Sequence, residues 1–127
     1  MHKGFLKTAF ILGALSVGLG AFAAHGLKDL FSNNAIATFE TGVRYQFYHV
    51  FALLTVAILY KDFREVKTAG WLFIGGIILF SGSLYMVSMV QGMVQPGYNW
   101  VGAITPFGGL LFIAGWLWMF IVIVRKK

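Results

Sequence analysis

Four ionisable side chains sit inside or beside long apolar runs, and their spacing limits what they can do: His25, Glu40, Arg44 and His49. Glu40 and Arg44 are four residues apart, acid first, the favourable order for an ion pair along a helix. An arginine near lipid needs a partner, because an unpaired charge there is costly. Two readings follow. The pair anchors its helix at the membrane interface, or it belongs to a polar face where Arg44 holds an anionic group and Glu40 orients it. His25 precedes Gly26, a good residue for ending a helix. A histidine there either complements the helix dipole or supplies a ligand contact beside Glu40 and Arg44. His49 follows Glu40 by nine residues, about 180° around a helix. It therefore stacks with Tyr45 and Gln46 and is expected to hydrogen-bond to a Ser or Tyr of another helix. As an alternative, a mid-membrane His49 could relay protons in an oligomeric pore.

Several chemistries are excluded or disfavoured. The chain has no Cys, which removes disulfides, thiolate metal sites and cysteine nucleophiles. His25, Glu40 and His49 do not converge as metal ligands should. The two histidines differ in height by about 10 Å, too much for a shared haem, and His2, beside the N-terminus, is assigned no role. No nucleophile, base and orienting acid occur at suggestive spacing, and there is no phosphate-binding loop. We therefore expect no enzyme, no cofactor and no metal. The net charge of +6 comes from short basic clusters flanking apolar runs, a topology signal and not a nucleic-acid surface.

The elements that position these residues are transmembrane helices. The 127 residues are 59% hydrophobic and 11% charged, against about 25% charged in a soluble domain. Twenty residues rise about 30 Å as a helix, the thickness of the hydrocarbon core. The sequence predicts an all-α integral membrane four-helix bundle in a single domain over residues 1–127, with helices at about 5–25, 33–60, 69–90 and 104–124. Small residues four apart, at Ser16, Gly20 and Ala24 and at Ala9 and Gly13, let the first helix pack closely on a neighbour. Asn33 or Asn34 is expected to cap the second, Trp71 marks an interface, and residues 91–100, with Pro96-Gly97, form a polar loop.

Orientation follows from Lys and Arg. Lys3, Lys7, Lys61, Arg64, Lys67, Arg125, Lys126 and Lys127 fall on one side, and only Lys28 and Arg44 on the other. Both termini are expected in the cytoplasm of a cell (plasma) membrane protein. Helical rise then puts His25 about 27 Å above Lys7, Arg44 about 24 Å above Tyr60, Tyr85 about 24 Å above Ala69 and Thr105 about 30 Å above Arg125. These share the outer leaflet, with Glu40 just above Arg44. His49 lies deeper, at about 16 Å.

Four stretches together resemble the YwdK/YgdD-like family of small bacterial and mitochondrial membrane proteins, a domain of unknown function. They are Leu19-Gly20-Ala21-Phe22-Ala23-Ala24-His25-Gly26-Leu27, Tyr45-Gln46-Phe47-Tyr48-His49, Ser81-Gly82-Ser83-Leu84-Tyr85 and Ile104-Thr105-Pro106-Phe107-Gly108-Gly109. The family usually has Gly where this chain has Ala23, which relaxes packing there. The resemblance implies the four-helix fold and no activity. It places His25, Tyr45, Gln46, His49, Ser83, Tyr85, Thr105 and Pro106 within family motifs. The sequence expectation is thus a non-enzymatic protein. It binds a lipid-like or small amphipathic ligand, or a membrane partner, through an outer-leaflet polar face of His25, Glu40, Arg44, Tyr45, His49, Tyr85 and Thr105. Membrane lipids, further copies of the chain or another membrane protein are the expected partners. Conduction of protons or small solutes, and a purely structural assembly role, are the alternatives.

Overall fold

A helix in hydrocarbon satisfies its own backbone N–H and C=O groups, so apolar runs of this length have few other options. The computed structural model describes residues 1–92 and 99–126, and every regular element among them is helical. Helix α1 spans Lys3–His25 and α2 spans Asn33–Leu59. A 3-10 turn at Arg64–Val66 leads into α3, Lys67–Gly76. A π turn at Ile77–Ser81 joins α3 to α4, Gly82–Gly92, as one rod. The one-turn α5, Asn99–Gly102, precedes α6, Thr105–Arg125. Helices α1, α2, the Arg64–Gln91 rod and α6 are each long and apolar enough to cross a membrane.

Three local expectations change. The cap of α2 is Ser32, whose Oγ accepts from Ala35 N at 3.2 Å; Asn33 and Asn34 are the first helical residues. The third span starts five residues earlier than its apolar pattern suggests, because the charged Arg64–Val66 segment is itself wound into a turn. Its π turn has no signature in the hydropathy. Gly26 ends α1 with φ −72°, an ordinary right-handed value. A side chain there would meet the Phe22 ring, 2.7 Å from its first carbon. The expected loop around Pro96-Gly97 lies outside the described residues.

Helix α2 is the hub. On one side it packs antiparallel to α1 along small residues: Ala9, Ser16 and Ala23 are buried, and Gly13 and Gly20 face Val50 and Val43. The close-packed position near the end of α1 is Ala23 and not Ala24, which is exposed. That seam lets the helices approach closely, as contacts between spans require when lipid is as apolar as the side chains. On its other side α2 meets the third span, which pairs with α6. There Phe112 lies over Gly76 and Phe73 over Gly115. Phe5, Leu53, Val56, Val66, Ala69, Phe73 and Phe112 belong to the main apolar core. Leu27 and Phe39 centre a smaller cluster with Ala23 at the far end.

Both termini come to the end of the bundle that carries the α2–α3 connection. The backbone N of His2 bonds to Ala57 O at 3.0 Å, and Lys126 Nζ donates to Asp62 O. His2 therefore has a role the sequence did not suggest. Its Nδ1 accepts from Phe5 N at 3.1 Å, capping α1. Its ring stacks on Phe5 at 4.0 Å and meets Tyr60 edge-on at 4.9 Å. A side-chain cap of this type contributes about 1 kcal/mol. His2→Ala is expected to lower stability by about that much, with His2→Asn recovering most of it. Reversible unfolding in mixed micelles followed by circular dichroism checks this, and no difference between the two variants would remove the capping role.

Candidate functional site

The polar residues inside the bundle form a ladder along α2. A hydroxyl or amide in hydrocarbon is costly unless hydrogen-bonded, and among the described residues no buried side-chain N or O lacks a partner. From the far end, Ser88 Oγ donates to Ala35 O at 2.6 Å. One level down, Ser81 Oγ donates to Gly42 O at 2.7 Å. Next, Tyr85 O–H donates to Gln46 Oε1 at 2.7 Å, and Gln46 Nε2 donates to Leu12 O at 3.1 Å. Ser16 Oγ donates to the same carbonyl at 2.7 Å. Gln46, 3% exposed, thus ties α1, α2 and α4 together.

His49 closes the ladder. Its Nδ1 is 2.7 Å from Tyr45 O and its Nε2 is 3.0 Å from Trp116 Nε1. A carbonyl only accepts and an indole N–H only donates. The imidazole therefore carries its proton on Nδ1 and accepts at Nε2. Its ring lies flat on Phe112, centroids 3.5 Å apart at 8°, and nearly parallel to Tyr45 at 6.5 Å. The expected Ser or Tyr partner is replaced by Trp116, because α6 and not a serine-bearing face comes alongside at this depth. Both ring nitrogens are occupied within the protein.

The other sequence-selected residues separate. Thr105 Oγ1 is 2.5 Å from Ser83 Oγ, which itself donates to Phe80 O, so the pair pins the start of α6 to the third span. Tyr85 is committed to Gln46. His25, Glu40, Arg44 and Tyr45 are exposed on the bundle surface. Among the described residues no ion pair joins Glu40 to Arg44, so the expected pairing is not formed. The structure accordingly does not gather these seven residues into one cavity. Four present themselves laterally and three are structural members of the interior. Among the described residues no three His, Cys, Asp or Glu side chains group together.

The lateral residues have their own order. Glu40, Arg44, Tyr48, Phe51, Thr55 and Ile58 are all exposed, and their spacing of three or four places them on one stripe of α2. The stripe is charged at the far end and mainly apolar towards the basic end. Sequence reasoning missed Tyr48 and Phe51, although the i, i+4 spacing from Glu40 was present. It also missed Ser81, Ser88 and Trp116 as interior partners, and for Trp116 no sequence signal distinguishes it from the interfacial tryptophans.

Comparison with known proteins is consistent across most of the chain. A family model described as "Protein of unknown function (DUF423)" matches residues 19–109. The chain is similar to the UPF0382 membrane protein YwdK of Bacillus subtilis, 42% identical over 127 residues, covering 94% of this chain and 98% of that one. It is 44% identical to the UPF0382 membrane protein SH2409 of Staphylococcus haemolyticus, covering 91% and 94% of the two chains. A UPF0382 membrane protein of Haemophilus influenzae is 38% identical, covering 92% and 90%. No solved structure matches.

Proposed function

The chain belongs to the DUF423 family, whose curated relatives are membrane proteins, and on that premise we propose that it is a non-enzymatic binding protein for an amphipathic ligand of the lipid class. The ligand lies along the exposed stripe of α2. Arg44 holds its anionic group, Glu40 lies one turn away on the same stripe, the Tyr48 hydroxyl adds a hydrogen bond, and Phe51 and Ile58 cover its apolar part. The observation that carries this reading is the polarity gradient of that stripe: charge at one end, apolar surface below it, on a span whose interior polar groups are satisfied. Arg44 is costly at that depth unless something anionic meets it. Lys and Arg bias favours the cytoplasm for the basic end and both termini, which puts the charged end of the stripe in the outer leaflet of the plasma membrane.

Native mass spectrometry of protein released gently from membrane tests this. Wild type is expected to retain an amphiphile that Arg44→Ala loses by about tenfold or more, the scale of one desolvated charged hydrogen bond. Equal retention by the two proteins overturns the reading.

A further inference from the structure

At the opposite, basic end a cavity of about 310 Å³ is lined by Glu65, Trp118, Val122, Arg125 and Lys126. Its volume is at the lower limit of small-ligand sites, roughly 300 Å³. Its walls are graded in depth. Trp118 lies seven residues before Arg125, so its Cα sits about 10 Å deeper along the helix axis than that of Arg125. The indole is fixed by donation of Nε1–H to Glu65 O at 2.8 Å. Beside it Val122 is 5% exposed. At the mouth, Lys126 reaches across to Asp62 O and lies 4.8 Å from the centre of the Phe63 ring. The cavity thus has a cationic mouth over an apolar floor, at the end of a membrane-crossing helix, where lipid phosphates lie.

We infer that this cavity is a second, separate site, which seats the phosphodiester headgroup of an anionic glycerophospholipid. Arg125 and Lys126 meet the phosphate, the arginine with its planar fork of N–H donors. Trp118 and Val122 receive the glycerol backbone and the first acyl carbons. Glu65 sets the selectivity. Among the described lining residues, two cations and one carboxylate leave one net positive charge, which matches a headgroup of one net negative charge. Its carboxylate accepts from a headgroup hydroxyl and repels a second phosphate. The fit is to a hydroxylated headgroup of the phosphatidylglycerol type. The exposed Leu117, Ile121 and Val124 of α6 continue the apolar surface for the acyl chains.

The test is a titration of the full-length protein in nanodiscs and detergent with phosphatidylglycerol or phosphatidylcholine, read by native mass spectrometry. Each basic residue near a headgroup contributes about fivefold in affinity. The double variant Arg125→Gln/Lys126→Gln is therefore expected to bind phosphatidylglycerol about 25-fold more weakly. Lys3→Gln/Lys7→Gln removes the same charge from exposed positions outside the cavity at the same end, where salt screens it, and is expected to change affinity less than about threefold. Arg125→Gln alone, expected to lose about fivefold, keeps Lys126 bonded to Asp62 and serves if the double variant does not fold. Equal losses in the two double variants would mean general attraction to the basic end and overturn the site, as would equal binding of phosphatidylcholine. Displacement of the lipid by millimolar glycerol 3-phosphate would reassign the site to a soluble phosphate. Arg125→Gln/Lys126→Gln is expected to keep the amphiphile that Arg44→Ala loses, so the two sites stand or fall separately.

Discussion

Gly108→Ala is expected to destabilise the bundle by about 3 kcal/mol or more, the upper range for forcing extra volume into a packed interior. A Cβ at Gly108 would sit against the backbone N of Phe80, 2.7 Å from Phe80 Cα and 2.8 Å from Leu79 C. These atoms belong to the π turn, where the wider winding carries main chain towards α6. No side chain there can rotate away, so α6 has to separate from the third span. The Ser83–Thr105 contact at the start of α6 would be strained with it. Gly109→Ala is the control. Its new methyl would be 3.7 Å from the Phe80 ring, ordinary contact, and the alanine gains about 0.5–1 kcal/mol in helix propensity. Unfolding in mixed micelles should separate the two adjacent substitutions by at least about 3 kcal/mol. Similar values for both would show that α6 and the π turn do not touch as described.

Gln46→Leu has the next largest expected effect, a loss of about 2 kcal/mol. It deletes two interhelical bonds and leaves the Tyr85 hydroxyl without its acceptor in an apolar interior, at about 1–3 kcal/mol for such an orphan. Individual bonds between spans average only about 0.6 kcal/mol and reach about 1.7, because polar groups also find partners in the unfolded chain within the membrane. Tyr85→Phe, which removes donor and hydroxyl together, is expected to cost less than Gln46→Leu. A double-mutant cycle should return a coupling of about 0.6–1.7 kcal/mol. Zero coupling would mean that Tyr85 and Gln46 act independently.

The four spans were legible because hydrophobic length decides them. Phe5 to Ala24 and Ile104 to Val124 have almost no other structure open to them in lipid. Ser83, Tyr85 and Gln46 were legible as polar motif residues only in kind, since a sequence gives height and face but not which neighbour stands opposite. Glu40 and Arg44 show the limit most clearly. Their spacing permits an ion pair, yet spacing on one helix does not fix rotamers, and both side chains extend outward. His49 was read correctly as lying away from Glu40, while its bond to Trp116 depends on how α6 lies against α2. Ser32 took the capping role because the helix already includes Asn33 as its first residue. His2 was passed over because the packing that holds it, Ala57 and Tyr60, lies more than fifty residues away in sequence.

The ladder on α2 has a bearing on how this chain can drift in sequence. Ser88, Ser81 and Gln46 each donate a hydrogen bond to a main-chain oxygen, on Ala35, Gly42 and Leu12 respectively. A carbonyl stays in place whatever side chain its residue carries. At the acceptor residue it is the main chain and not the side chain that makes the bond, so hydrogen bonding alone sets no residue type there. Methods that infer proximity from paired substitutions would therefore draw no signal from these hydrogen bonds themselves, although Ser81 and Ser88 each touch a neighbouring span.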